Sequence, residues 1–345
     1  QNIKAWSYIG NIGESAGKLI FTIILLFIGF GILGATFAYV LTFFILAFIS
    51  YFYLKKSFPL VKTKLEINKE LFSFSWPLMF SSILMFTIDW ITILLLGYYK
   101  TVSDVGIYNA ALPTSALLYI TPMALFALFV PILTELSTLN KDKEFKTNYK
   151  TVAKWIFFIN LPIFLFLSLF SKQVLSILFG NNYITGSTPL IILSFGYLIY
   201  FMFDTSSKIL NIIRKTKFIL LNTIVALSAS IILNIILIPK YGINGAAIAN
   251  ASSLIVYNTL SSIEAFYFTK IQPIGSTYAK SLIAGLITLV LTLLLMNFFI
   301  INNLISLIAS ALIFMLVYLS FIILLKALSK EDLYIIKSIR NKLKI

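Results

Sequence analysis

Apolar runs separated by short polar segments account for most of this 345-residue chain. They lie at roughly 17–32, 34–54, 72–97, 105–133, 152–171, 187–210, 217–238, 243–267, 279–300 and 304–326. None of them alternates apolar and polar positions with period two, so they predict helices and not strands. The first is short; each of the others reaches the ~20 residues that one bilayer crossing needs. Lipid offers a backbone no hydrogen-bond partners, so runs of this kind must close their own ladders as helices. The 105–133 run exceeds one crossing and is punctuated by Pro113, Pro122 and Pro131. This predicts one long, tilted, kinked helix, because proline removes a backbone donor. Pro77 and Pro162 predict further bends. The chain reads as an all-α polytopic membrane protein of about ten transmembrane helices.

Charge fixes the expected orientation. Of the 27 Lys and Arg residues, all but Lys100, Lys172, Lys240 and the intramembrane Lys208 fall on alternate loops. The positive-inside rule reads the rich set as cytoplasmic, which puts both ends of this chain in the cytoplasm of a plasma (inner) membrane protein. The composition agrees: 60% hydrophobic and 11% charged residues, with a mean hydropathy of +0.98. The net charge of +15 is spread over loops and does not form a nucleic-acid patch. Absence of Cys and His from the sequence removes thiolate chemistry and the commonest metal ligand. We expect no metal site, no catalytic residue and no cofactor, and leave open coupling to Na⁺ or H⁺.

An internal repeat orders the spans. Gly31-Ile32-Leu33-Gly34-Ala35-Thr36-Phe37-Ala38 matches Gly242-Ile243-Asn244-Gly245-Ala246-Ala247-Ile248-Ala249 at five of eight positions. Both copies follow an apolar run and open the next one at an expected external turn. Gly31, Gly34, Gly242 and Gly245 are therefore candidate helix-packing positions, since small residues let helices approach closely. If the copies are equivalent, the second repeat has four spans before its pair and the first has none. A fourteen-helix protein whose first four spans lie upstream is then expected, consistent with a chain that begins at Gln1. The resulting division is 1–54, the last two helices of one lobe; 55–71, a cytoplasmic linker; 72–269, a complete six-helix lobe; 270–326, two further helices; and 327–345, a basic amphipathic cytoplasmic tail. In that tail Ser329 to Asp332 forms a capping pattern.

Residues 70–269 resemble the polysaccharide flippases of the multidrug/oligosaccharidyl-lipid/polysaccharide exporter superfamily. The resemblance rests on Phe74-Ser75-Trp76-Pro77, on Asp89 followed by Leu94-Leu95-Leu96-Gly97-Tyr98-Tyr99, and on Val105-Gly106-Ile107-Tyr108-Asn109-Ala110-Ala111. Further along, Leu178-Phe179-Gly180-Asn181-Asn182-Tyr183 and the stretch from Asn234 to Ala247 complete it in the same order. Trp90 stands where the family often has Arg, and Asp204 where a neutral polar residue is expected. The resemblance implies two helical lobes around a cavity open alternately to either side. It also implies movement of a lipid-linked oligosaccharide, usually on a polyprenyl diphosphate carrier, to the outer leaflet.

Charges at bilayer depth cost at least ~2.5–3.5 kcal/mol, so they normally face a cavity or a partner. Asp89 lies mid-span and is either a cavity-lining carboxylate for a proton, a cation or a basic partner, or an interhelical bond. Asp204 and Lys208 are four apart and can pair on one helix face, which Asn211 shares with Asp204. Asp204 lies deeper and is the better cavity candidate; Lys208 either contacts diphosphate or sugar, or snorkels to the inner interface. Asn160, Asn222, Asn234 and Asn250 are read as interhelical bonds, and Glu135 and Glu264 as members of loop salt-bridge networks. Tyr51, Tyr53, Tyr98, Tyr99 and Tyr241 fit interfacial belts. No enzyme motif is present, and we expect a transporter and not an enzyme. The leading expectation is a lipid-linked oligosaccharide flippase for cell-surface glycan assembly, with membrane lipids and glycan-assembly enzymes as partners. A cation-coupled multidrug exporter on the same fold and a membrane-bound polymerase or ligase are the alternatives.

Overall fold

The structure, a computed structural model, describes residues 13–57, 69–271, 276–295, 301–327 and Asp332. The expected linker falls largely outside the described residues, as does the expected tail helix apart from Asp332. The described secondary structure is helical, and each apolar run falls on a helix. Seven of the described helices are long and apolar enough to cross a bilayer. The chain divides into two compact units, Gln1–Ile67 and Asn68–Ile345.

The first unit is a hairpin of α1 (Glu14–Phe27) and α2 (Gly31–Ser57). Lys18 bonds Glu14 one turn back at 2.6 Å and sits over the rings of Tyr39 and Phe43. The turn between the helices passes through Gly29 and Gly31, both at positive φ. Gly34 is where the two helices touch: a Cβ there would lie 3.2 Å from the Leu25 carbonyl oxygen.

The second unit opens with α3 (Lys69–Tyr99), which carries Pro77 without breaking. Thr101 caps α4 (Val102–Ser115) in a reciprocal box with Asp104. A 3-10 turn (Ala116–Tyr119) joins α4 to α5 (Ile120–Thr138), giving a continuous helical stretch of 37 residues. The expected kink thus takes the form of a tightened turn. Its cause is Pro122, which has no N–H to give the carbonyl of Leu118 four residues back. Next come α6 (Asp142–Leu169), α7 (Ser171–Phe179), a second 3-10 turn (Asn181–Gly186) and α8 (Ser187–Ile212). Helix α6 starts ten residues before the apolar run it carries, through polar turns that bury Phe145 and Tyr149.

The two spans expected at 217–238 and 243–267 are the arms of one element, α9 (Thr216–Thr269), folded at Gly242 with φ 57° and ψ −131°. There is no loop between them. Only glycine adopts this backbone region readily. Close packing beyond the bend requires Gly245, whose Cβ would fall 2.3 Å from the Leu237 carbonyl oxygen. The two glycine-rich copies share a positive φ at their first glycine, 54° at Gly31 and 57° at Gly242, and each lies where a helical hairpin closes. Helices α10 (Ser276–Leu294) and α11 (Leu304–Leu324) pack on α6. Tyr278 lies against Phe157, and Phe314 against Phe166.

Burial is inverted relative to a water-soluble protein. Large apolar side chains such as Phe44, Ile305 and Leu316 are exposed, while Asn222, Asn234, Asn250 and Asn258 are buried. Such an exterior is stable only against lipid. Inside, short polar side chains stitch helices together. Ser81 pairs with Thr223 at 2.6 Å, Asn234 donates to Thr92 at 3.0 Å, and Asn258 donates to the Tyr200 carbonyl at 2.5 Å. Asn222 donates to both Ser261 and Glu264 across the two arms of α9. Glu264 is thus a partly buried hydrogen-bond acceptor between the arms, with no salt bridge among the described residues. Asn160 lies in the core with no protein partner for its amide among the described residues. Asp332 is fully buried: it is ion-paired with Lys154 and accepts the Trp155 indole N–H at 2.7 Å, while the rest of the expected capping pattern lies outside the described residues.

Candidate functional site

A cavity of about 630 Å³ lies within the second unit, between α3, α8 and α9. Its shape follows from helical periodicity. On α8, Tyr197, Tyr200, Ser207, Lys208 and Asn211 are spaced by three, seven, one and three positions, which sums to whole helical turns and places them on one side. On α3, Leu78, Ser81, Ser82, Met85, Phe86 and Asp89 likewise fall on one side. The chamber runs from near the ends of these helices that carry the basic loops to the middle of the bundle. Asp89 sits ten positions before Tyr99, about 15 Å of helix rise, which is the centre of a ~30 Å hydrocarbon layer.

Three of the four polar candidates reach this wall: Asp89, Lys208 and Asn211. Asp89 is partly exposed, and its Oδ1 accepts a hydrogen bond from Asn250 Nδ2 at 2.9 Å. Asn250 is fully buried on the second arm of α9, so that arm positions the carboxylate. One turn further along α3, Thr92 takes the bond from Asn234 on the first arm. Asp89 is thus held by one amide contact of its own, and its helix is fastened by a second at Thr92.

Asp204 and Lys208 exchange the parts expected of them. Asp204 is buried behind the wall, 3% exposed, and accepts from the Ser207 hydroxyl at 2.7 Å. Lys208 carries the exposed charge: its Nζ lies 3.7 Å from Asp204 Oδ2 and 5.1 Å from the centre of the Phe126 ring. Asp204 holds and partly neutralises Lys208, and the lysine faces the chamber. Depth along the helix does not decide which of the two reaches the cavity: they lie on one face, and Asp204 is held back by the Ser207 hydroxyl while Lys208 extends over the Phe126 ring.

Asn211 also lines a neighbouring cavity of about 560 Å³ that leads to Arg214 and Glu70. These two are ion-paired and exposed, and Arg214 holds the turn between α8 and α9 at φ 60°. Periodicity alone did not single out Tyr119, Tyr197, Tyr200 and Tyr257, all on the wall. The available signal was the i, i+3, i+7, i+11, i+14 spacing of Tyr197, Tyr200, Asp204, Lys208 and Asn211 on α8. The glycine candidates lie elsewhere: Gly31 and Gly34 in the first unit, Gly242 and Gly245 at the bend of α9.

Comparison with known proteins agrees with this architecture. A "Probable low-salt glycan biosynthesis flippase", Agl15 of Haloferax volcanii, is 26% identical over 226 residues, 66% of this chain and 47% of its own length. An uncharacterized membrane protein of Methanocaldococcus jannaschii is 28% identical over 204 residues, 57% of this chain and 40% of its own. The matched stretch therefore spans less than half the length of these relatives. Among solved structures, the lipid II flippase MurJ in an inward closed conformation superposes with a TM-score of 0.60 at 21% identity. That match covers 89% of this chain and 65% of MurJ. A MATE structure in the straight conformation superposes with a TM-score of 0.53 at 18% identity, covering 74% of this chain and 61% of that one. Both show a shared fold. Residues 7–187, more than half of the chain, match the family described as "Polysaccharide biosynthesis protein". The chain belongs to that family.

Proposed function

We propose that this protein acts as a flippase that carries a lipid-linked oligosaccharide from the cytoplasmic to the outer leaflet for cell-surface glycan assembly. The observation that carries the reading is the polarity of the chamber inside an apolar-surfaced bundle. Lys208 and Asn211 stand toward the basic-loop end, and Asp89 with its tyrosines at the centre of the membrane. A ligand with an anionic group at one end and neutral hydroxyl-bearing rings at the other matches that order. A diphosphate-linked glycan is such a ligand, and its lipid tail stays in the bilayer while the head crosses. The names of the relatives, a glycan biosynthesis flippase and a lipid II flippase, support the same class. Transport of this kind forms no covalent bond, and the chamber needs only to bind and release its cargo.

The acidic, aromatic inner end also fits a small organic cation, as a multidrug exporter would need. Lys208 on the same wall weighs against it, because a cation entering past an ammonium group is repelled.

The test is translocation of a labelled lipid-linked oligosaccharide in proteoliposomes, read by protection from an impermeant glycosidase. Asp89→Asn and Asp204→Asn, inserted at normal levels, are expected to lose most of the rate. Wild-type rates in both would remove these sites, and pumping of tetraethylammonium without glycan movement would favour the exporter.

A further inference from the structure

The inner end of the chamber holds a continuous array of aromatic rings. Tyr197 and Phe201 stack nearly parallel, 12° between planes with centroids 5.8 Å apart. Tyr119 leans on Phe201 at 5.4 Å, and Tyr200 lies near-parallel to Tyr257 at 6.1 Å. Phe201 is fully buried and acts as the backing of the array. Tyr119 is 52% exposed, and Tyr197 and Tyr200 are partly exposed. All three line the cavity. Interfacial tyrosines behave differently: they sit at span ends, whereas these occupy the depth of Asp89.

Asp89 supplies the complementary chemistry. Asn250 engages only Oδ1, which leaves Oδ2 directed to the chamber. The Ser82 hydroxyl, also on the wall, donates to the Leu78 carbonyl and keeps its lone pairs for an incoming donor. A carboxylate oxygen with no fixed donor beside exposed ring faces is a site for a group with hydroxyls on its rim and C–H bonds on its face. The electron-rich face of an aromatic ring attracts such polarised C–H groups, and the carboxylate accepts from adjacent hydroxyls.

We infer that this inner end is a monosaccharide subsite, in which a pyranose ring stacks on Tyr119 and Tyr197 while Oδ2 of Asp89 accepts from two neighbouring hydroxyls. The inference rests on the flippase reading and names the part of the cargo that the chamber reads. Tyr197 and Lys208 are eleven positions apart on α8, about 16 Å of rise. A sugar at the tyrosines and an anionic group at Lys208 are therefore separate contacts of one extended head. Specificity resides in the sugar contact, because every carrier of this type presents the same phosphates.

The complete chain in lipid nanodiscs provides the test, by calorimetric titration with methyl α-glucoside, methyl α-galactoside, methyl α-mannoside, inorganic pyrophosphate and tetraethylammonium. At least one glycoside is expected to bind saturably. Its affinity should fall about tenfold in Tyr197→Leu and in Asp89→Asn. Tyr197→Phe keeps the ring face and should retain the affinity. Pyrophosphate binding should be unchanged in all three, which also shows that the variants are folded. Binding of no glycoside, or equal binding by Tyr197→Leu and wild type, overturns the subsite. So does Asp89-dependent binding of tetraethylammonium that glycosides do not displace. Translocation scored in parallel separates the two readings. Glycan movement without glycoside binding sinks the subsite alone, and glycoside binding without glycan movement leaves the subsite standing and sinks the flippase.

Discussion

Replacing Gly245 by alanine probes the bend of α9 directly. The added Cβ would lie 2.3 Å from the Leu237 carbonyl oxygen, 2.5 Å from its carbonyl carbon and 3.0 Å from the Ile238 nitrogen. All three obstacles are backbone atoms, so no rotamer change relieves them. Ordinary contact needs about 3.5 Å, so the arms must separate by roughly 1 Å, which forfeits a quarter to a half of the dispersion energy along the seam. Overpacking of this kind costs about 1–3 kcal/mol, and an obstacle fixed in the backbone places Gly245→Ala at the upper end. Gly242→Ala meets nothing closer than the Lys100 side chain at 3.7 Å, but it must hold a φ of 57°. Its cost is about 1–3 kcal/mol of backbone strain. Gly97→Ala is the control, since its nearest neighbour is the Val105 side chain at 3.7 Å, an ordinary contact. Unfolding in mixed detergent micelles, followed by tryptophan fluorescence, ranks the three against wild type. The expected order of loss is Gly245→Ala at or above Gly242→Ala, with Gly97→Ala near zero. A Gly245→Ala protein as stable as the Gly97→Ala control would refute the close-packed bend.

Four further outcomes follow from contacts described above. Asn234→Leu and Thr92→Val should each cost about 0.6–1.7 kcal/mol, and the double variant little more than either, in a double-mutant cycle by the same unfolding assay. Asp332→Asn removes the carboxylate from buried Lys154 and should cost about 3–5 kcal/mol, much of it recovered in the double variant Lys154→Met/Asp332→Leu. Glu70→Gln breaks an ion pair that is exposed on both sides, so stability should shift by less than about 1 kcal/mol; a larger loss would mean the pair is shielded. In this cysteine-free chain, a cysteine at Lys100 should react with an impermeant maleimide in intact cells while one at Lys143 stays protected, and the reverse pattern would invert the positive-inside assignment.

How much of this was legible in the sequence depends on what each signal measures. Hydropathy located every apolar run because it reports the lipid zone directly, and for the same reason it missed the polar first turns of α6 and the short α7 outside that zone. The glycine-rich repeat announced two equivalent positions, but the absence of any loop at Gly242 follows from a backbone torsion that composition does not encode. Asp89 was visible because a carboxylate in an apolar run has few explanations. Which of Asp204 and Lys208 faces the chamber was not visible, since the two share a helix face and only the packing of Ser207 and Phe126 separates them. The tyrosines were least legible: a ring with a hydroxyl at its tip has the same place on any scale, whether it meets lipid or a chamber.

The single-residue fold at Gly242 also has a mechanical meaning. A connecting loop would give its two helices slack; one glycine gives almost none. The first arm grips α3 through Thr223 and Asn234, and the second grips it through Asn250. The second arm also meets α8 where Gly196 abuts Ala251. The three sides of the chamber are therefore fastened to one stiff V. A change of angle between the arms must be absorbed at that one residue; otherwise the three sides move together.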